Sequence, residues 1–185
     1  MRRRPEPGIE AGCEGDTLDQ CQLPSRNPQG ILTRSAFAAK SSFIDSALPP
    51  AGVDKVVAAV AALDRDVPQV GGGLVLDAYG GAIERVGTSD TAFVHRRALA
   101  CIQESFSWSA GAPSSVVAAG TAWLADTHSA LAPYAAGSYQ NYIDPTLENW
   151  QEAYYGSNLP RLKRVKARYD PDDFFTFAQS IPVAG

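Results

Sequence analysis

Ser138 to Pro182 reads SYQNYIDPTLENWQEAYYGSNLPRLKRVKARYDPDDFFTFAQSIP. Its local signals set out a strand and then a string of capped helices. Gly137 to Ile143 suits a strand, in which period two places Tyr139 and Asn141 on one face. Asp144 is positioned to cap a helix that has Pro145 at its first position, and Gly156 closes that helix as a C-terminal cap. Asn158 can cap the next helix, where Leu162, Val165 and Tyr169 line one stripe and Asp170-Pro171 stops the chain. Arg161, Lys163, Arg164, Lys166 and Arg168 surround that stripe, a pattern that reads as a solvated face rather than an anion site.

Working outward, the segment before Gly137 mixes strands and helices without strict alternation. Ser35 to Ile44 has Phe37 and Phe43 on one alternating set and suits a strand. Pro49-Pro50-Ala51-Gly52 breaks it. Val53, Val56, Val57, Val60 and Leu63 then recur at helical spacing and predict one apolar face. Leu74 to Tyr79 reads as a strand, Gly80-Gly81 as a tight turn and Ala82 to Val86 as the returning strand. Thr91 to His95 is a further short strand. Leu99 to Trp108 is a longer one, with Ile102, Phe106 and Trp108 on one face. A long helix is expected from about Pro113 to Leu131. The sum is an α+β class: an antiparallel sheet with helices on one face, followed by a helical C-terminal tail. Residues 1–30 are rich in proline, glycine and scattered charge, and are expected to form a disordered or unrelated leader.

Composition excludes several functions. A net charge of −4 and an acidic pI disfavour nucleic acid and anionic membranes as partners. No apolar run is long enough to span a bilayer. Met1-Arg2-Arg3-Arg4 lacks the apolar segment of a secretory signal, which favours the cytoplasm. Cys13, Cys21 and Cys101 make neither a disulfide framework nor, without nearby histidines, a metal site. Gly71-Gly72-Gly73 and Gly80-Gly81 lack the spacing of a dinucleotide fingerprint. His95 reads as a structural strand histidine, and His128 as an exposed helix residue with polar neighbours.

The fixed spacings of Tyr139-x-Asn141-Tyr142-x-Asp144, Trp150, Tyr154-Tyr155-Gly156-x-Asn158, Arg161-Leu162, Val165-Lys166, Asp170-Pro171, Phe174-Phe175 and Gln179-Ser180-Ile181-Pro182 carry a resemblance. Together they are similar to the C-terminal segment of the berberine-bridge-enzyme-like FAD-linked oxidases. The stretch from Gly71 to Val86 and the Phe93-x-His95-Arg96 element resemble the preceding substrate domain more loosely. The resemblance implies a partial substrate domain over residues 31–137 and a berberine-like segment over residues 138–185. It also implies FAD as cofactor and a small alcohol, sugar or secondary metabolite as substrate. The reaction it implies is hydride transfer to flavin with oxygen as acceptor. Tyr142 matches the base that takes the substrate hydroxyl proton, a task that needs a group within hydrogen-bond reach. Asn141 and Tyr139 match cofactor contacts, and Asp77 and Tyr79 the substrate-cavity wall. In relatives the flavin is held mainly by an N-terminal domain for which this chain has no room. Two alternatives follow: a shortened oxidase, or a non-catalytic remnant or subunit that works beside a separate FAD-binding chain. The isolated chain is expected to be inactive.

Overall fold

The alternating segments form a three-stranded sheet. The computed structural model describes residues 36–67, 70–109 and 111–183; the leader, Cys13 and Cys21 lie outside them. Strand β1 is Ala36–Ile44, β2 is Gly71–Ala78 and β3 is Ala100–Trp108. Their order is β1-β3-β2, so the strand with no exposed residue is central. β2 runs antiparallel to β3 in a register from Gly71↔Ser107 to Ala78↔Ala100. The Leu99 N–H donates to the Ile44 carbonyl at 2.7 Å, which joins the end of β1 to the start of β3. That geometry makes β1 antiparallel to β3 as well.

Helices α1 (Pro50–Asp66) and α2 (Ser114–Leu131) cover one face of this sheet. Prolines at the starts of both helices supply preset φ angles where no intrahelical N–H bond is lost. Phe106 from β3 meets Leu63 of α1 and Trp123 and Leu124 of α2. Ile102, two turns of the pleat away, meets Ile44 and Leu131. Gly120 lets α2 approach the Phe106 ring, where a Cβ would overlap the ring atoms. The α+β class and the helices on one face are therefore as the sequence predicts.

Four local expectations are corrected. Ala82 to Val86 is turn, and Thr91 to His95 a bend followed by irregular chain; neither is a strand. Ile83 N–H donates to Gly80 O, Val86 to Ile83 and Asp90 to Gly87, all within 3.3 Å. β2 takes β3 as its neighbour, pairing along its whole length from Gly71 to Ala78, whereas Glu84 and Arg85 interrupt the nearer segment. The apolar stripe of α1 is only partly covered: Leu63 is buried, but Val53, Val57 and Val60 stay exposed. His128 is not a free surface residue. Its Nδ1 lies 2.8 Å from Glu104, a fully buried carboxylate that also accepts from Ser42 Oγ at 2.7 Å. A lone charge at that depth is costly, so β3 places Glu104 where β1 and α2 both bring partners.

The helix expected from Asp144 is reduced to α3 (Trp150–Tyr155). Asp144 spends its carboxylate elsewhere, on Thr146 and Lys40. Gly156 does end α3, at φ 45°, and α4 (Leu159–Tyr169) stops at Asp170. Asn158 precedes α4 but does not cap it through its side chain. Its buried amide instead donates to the carbonyls of Thr88, Thr91 and Ala92 at 2.7, 3.2 and 3.3 Å. Arg161 adds a bond to the Ser89 carbonyl at 2.6 Å. These staples hold the turn-rich 80–97 connection. Asn158→Ala is expected to cost about 1–3 kcal/mol, because three carbonyls lose the buried amide that joins them. Thermal denaturation measures the loss, and amide exchange near residues 88–92 should rise with it. Unchanged exchange there would refute the stapling role.

Candidate functional site

Among the described residues no long helix covers the second face of the sheet, and the C-terminal tail crosses it. Phe43 N–H donates to Gly137 O at 2.8 Å, and Ala136 N–H donates to Phe43 O at 2.7 Å. The Tyr139 N–H then reaches Ser41 Oγ at 2.8 Å. Beyond this isolated bridge the expected strand ends. Tyr142 N–H donates back to the Tyr139 carbonyl at 2.9 Å, so Tyr139 to Tyr142 is a tight turn. The turn replaces alternation with convergence. The Tyr142 ring stands edge-on to Tyr139, with centroids 5.1 Å apart, and Asn141 Nδ2 donates to the Tyr139 hydroxyl at 2.8 Å.

Tyr139 and Tyr79 both anchor inward. Tyr79 packs edge-on against Phe43 at 5.3 Å and beside Phe93, and Tyr139 meets the same two rings. Burial, with smaller contributions from Cys101 and Tyr139, pushes the Tyr79 hydroxyl up to about 12. Asn141 and Tyr142 face outward instead. They line an open cleft of about 760 Å³ with Phe37, Ala39 and Gln103. Asp77 lies exposed on β2, opposite Cys101 in the register. Its carboxylate is close enough to act on Tyr142: burial raises the Tyr142 pKa first, and the Asp77 charge raises it further. The five residues singled out from the sequence thus gather on one sheet face, but only Asn141 and Tyr142 line the cleft. Gln103 and Lys40 join its lining without a sequence signal beyond their places in alternating strands.

Tyr142 therefore keeps its proton at neutral pH in this setting. A phenol with a raised pKa is a poor base by itself. Paired with a carboxylate, it can pass a proton on, and Asp77 is the carboxylate whose charge reaches it. Cys101 does not compete: burial, then the charges of Asp77 and Glu104, push its thiol up to about 12.

His95 sits behind the site as a structural element. Its ring stacks on Phe43 with centroids 4.3 Å apart and planes 20° apart. Burial lowers its pKa below the ordinary value. As pH falls, the unfolded chain takes up that proton first. The stability His95 contributes is thus present above about pH 6.5 and is lost as pH falls toward the folded value. Denaturation measured from about pH 8 to about pH 5 should show this slope, and His95→Gln should flatten it. An identical slope in the variant would exclude His95 as its source.

The residues on this face fit the edge of a flat heteroaromatic ring. They present an outward amide, Asn141, and a half-buried ring, Tyr142, beside an exposed Phe37. Among the described residues no glycine-rich turn leading a helix is available to cradle a pyrophosphate.

Comparison with known proteins places this α+β layer and its tail among relatives of known class. Residues 138–182 match the family model described as berberine and berberine like. The FAD-linked oxidoreductase YvdP of Bacillus subtilis is 40% identical over 104 residues, covering 56% of this chain and 23% of that protein. Berberine bridge enzyme-like 12 of Arabidopsis thaliana is 32% identical over 188 residues, covering 89% of this chain and 34% of that protein. The solved chitooligosaccharide oxidase superposes with a TM-score of 0.73 at 27% identity, covering 96% of this chain and 37% of that one. The chain belongs to the berberine-bridge-enzyme-like family of FAD-linked oxidases. It spans about a quarter to a third of the length of the curated relatives it matches. No helix among the described residues is long and apolar enough to cross a membrane.

Proposed function

We propose that this chain supplies the substrate-facing wall of an FAD-dependent oxidase acting on an alcohol, a sugar or a secondary metabolite. The observation that carries the reading is the turn that sets Asn141 and Tyr142 in an open cleft, with the Asp77 charge acting on Tyr142. FAD, when bound, would accept the hydride and pass its electrons to oxygen. The chain's residues do the rest. Asn141 and Tyr139 orient the ring through their amide and hydroxyl. Tyr142 accepts a hydrogen bond from the substrate hydroxyl and takes its proton while passing its own toward Asp77. The carboxylate thereby ends with the proton, and the phenol never has to carry the negative charge it holds poorly. Tyr79 fixes the wall from behind. The name of the chitooligosaccharide oxidase supports a sugar among the candidate substrates.

A second reading has its own observation. Phe174, Phe175, Phe177 and Tyr169 in the tail are more than half exposed, and Val165 on α4 is nearly so. That surface suits a separate FAD-binding chain that would complete the cofactor site, with the present chain inactive alone.

The test is a chimera in which residues 36–183 replace the matched segment of the Bacillus relative. A yellow, folded chimera that releases peroxide from an alcohol or sugar is expected. Tyr142→Phe in that chimera should lower the turnover about 10²–10⁴-fold, the range for a lost proton-transfer group. Flavin-loaded chimera whose turnover survives Tyr142→Phe would sink the assignment. The isolated chain mixed with FAD separates the second reading: it should retain no flavin absorbance after gel filtration.

A further inference from the structure

Gln103, Ser105 and Ser107 are alternate residues of β3, the central strand. Their neighbours Ile102 and Phe106 point into the core beneath the helices. The three therefore stand on the opposite face, about 7 Å from one to the next. Gln103 lies in the cleft with Asn141 and Tyr142. Ser105 and Ser107 carry the line away from it along the strand. On the β2 side, Ser105 and Ser107 lie opposite Gly73 and Gly71, which raise no side chain beside them. A Cβ at Gly71 would stand 2.9 Å from the Ser107 hydroxyl, so that hydroxyl uses the room the glycine leaves. On the β1 side, Phe37 shares this face by alternation with Phe43 and presents a ring that is 64% exposed. The three polar side chains are half-buried. The β1 serines are committed: Ser41 accepts from the Tyr139 N–H and Ser42 donates to Glu104. Gln103, Ser105 and Ser107 have no such side-chain partner among the described residues.

We propose that this row is an extended subsite for a neutral oligosaccharide, whose end unit meets Tyr142 and whose further units lie along Gln103, Ser105 and Ser107. The inference rests on the oxidase reading and narrows its substrate class. The row itself carries no charge, and Lys40 and Asp144 in the adjoining cleft are closed on each other at 2.5 Å. An ionic substrate thus finds no free counter-charge along it. An apolar alcohol would cover the amide and both hydroxyls without bonding them, which leaves polar groups desolvated and unpaired. A polyol donates and accepts at once, as an amide and two hydroxyls require. Its C–H face can cover the Phe37 ring. From Gln103 to Ser107 the row runs about 14 Å, longer than a single sugar ring.

Amide NMR of the full chain, titrated separately with cellotetraose, maltotetraose, glucose and cinnamyl alcohol, tests it. One of the tetrasaccharides is expected to shift the Gln103, Ser105 and Ser107 amides and to bind roughly tenfold or more tighter than glucose. Ser107→Val and Phe37→Ala should each weaken the tetrasaccharide about 2–10-fold and leave glucose unchanged. Because Phe37 is exposed, its variant decides the matter if the strand variant fails to fold. The proposal is overturned if neither tetrasaccharide shifts those amides, if glucose binds as tightly, or if cinnamyl alcohol binds more tightly than both. The flavin-loaded chimera separates this inference from the reading beneath it. A KM that falls from glucose to the tetrasaccharide at similar kcat is expected. Turnover that needs Tyr142 but shows the same KM at every chain length overturns the subsite and leaves the oxidase reading standing. Turnover indifferent to Tyr142→Phe sinks the oxidase reading, and the amide shifts of the full chain still decide whether the row holds a glycan.

Discussion

Asp144→Ala is expected to lower the folding free energy by about 3–5 kcal/mol, the cost of breaking a buried ion pair from one side. Asp144 and Lys40 lie 2.5 Å apart with side chains only 8% and 13% exposed. Removing the carboxylate strands the Lys40 ammonium, left with the Thr146 hydroxyl at 2.7 Å as its partner. It also frees the Thr146 N–H, which the carboxylate accepts at 2.9 Å. The backbone of Asp144 is itself a junction. Its N–H donates to the Tyr154 hydroxyl at 3.0 Å, and its carbonyl accepts from Gln179 Nε2 at 2.7 Å. Chemical denaturation should therefore show the turn before α3 and the Gln179 segment loosening together. Lys40→Met combined with Asp144→Asn should recover much of the loss, since the amide still accepts from Thr146 and no charge remains buried. If the double variant is no more stable than Asp144→Ala, the ion pair is not the source.

The same residue gives the protein an acid-side limit. Burial works to raise the Asp144 pKa, but the bonds from Lys40 and Thr146 outweigh it and the pKa is lowered. A depressed carboxylate stabilises the fold above the ordinary carboxylate range, and that contribution is lost as pH falls through the folded value. Stability should thus drop at low pH in the wild type and less so in the double variant.

The sheet and the two long helices were legible because their signals are periodic. Phe37 to Phe43, Ile102 to Phe106 and the α2 positions from Val116 to Leu131 each repeat at the spacing their element imposes. The tail was legible as a resemblance and misread as a structure, for one physical reason. Its fixed residues are largely polar staples: Asp144 on Lys40, Tyr154 and Gln179 on the Asp144 backbone, Asn158 on three carbonyls, and Lys166 on Asp170. Cap and period rules treat Asp144 and Asn158 as local helix signals, yet their partners lie 104 and about 70 residues away. Long-range polar pairing leaves no periodic trace. The turn at Tyr139 to Tyr142 escaped for a related reason. Its residues have strand propensity, but the Gly137 bridge and the Ser41 hydroxyl hold its start while Tyr142 bonds back to Tyr139. The meeting of Asn141 and Tyr142 at the cleft follows from that turn, which strand alternation does not foresee.

Phe106→Ala should destabilise the fold by about 3–5 kcal/mol, the usual range for emptying an aromatic site in a packed interior. The ring is fully buried, stacks on Trp108 at 4.9 Å and fills the space between α1, α2 and the sheet. Its fit is shared with Gly120, whose missing Cβ leaves the room the ring occupies. Gly120→Ala alone should cost about 1–3 kcal/mol through overpacking, despite the helix propensity that alanine adds. Phe106→Leu alone opens a void on the same line of contact. The two together should cost less than their sum, because the new methyl enters space the smaller side chain vacates. Thermal or denaturant unfolding of the four proteins in that cycle measures the coupling directly. Strict additivity would mean that α2 shifts bodily away from the sheet instead of meeting Phe106 at Gly120. The seating of α2 also matters beyond stability: Thr121, Leu124 and Ala125 of that helix border the cleft that Asn141 and Tyr142 enter from the tail. A displaced α2 would therefore widen the cleft, and weakened substrate binding without loss of Tyr142 chemistry is the expected signature in the flavin-loaded chimera, a higher KM at unchanged kcat.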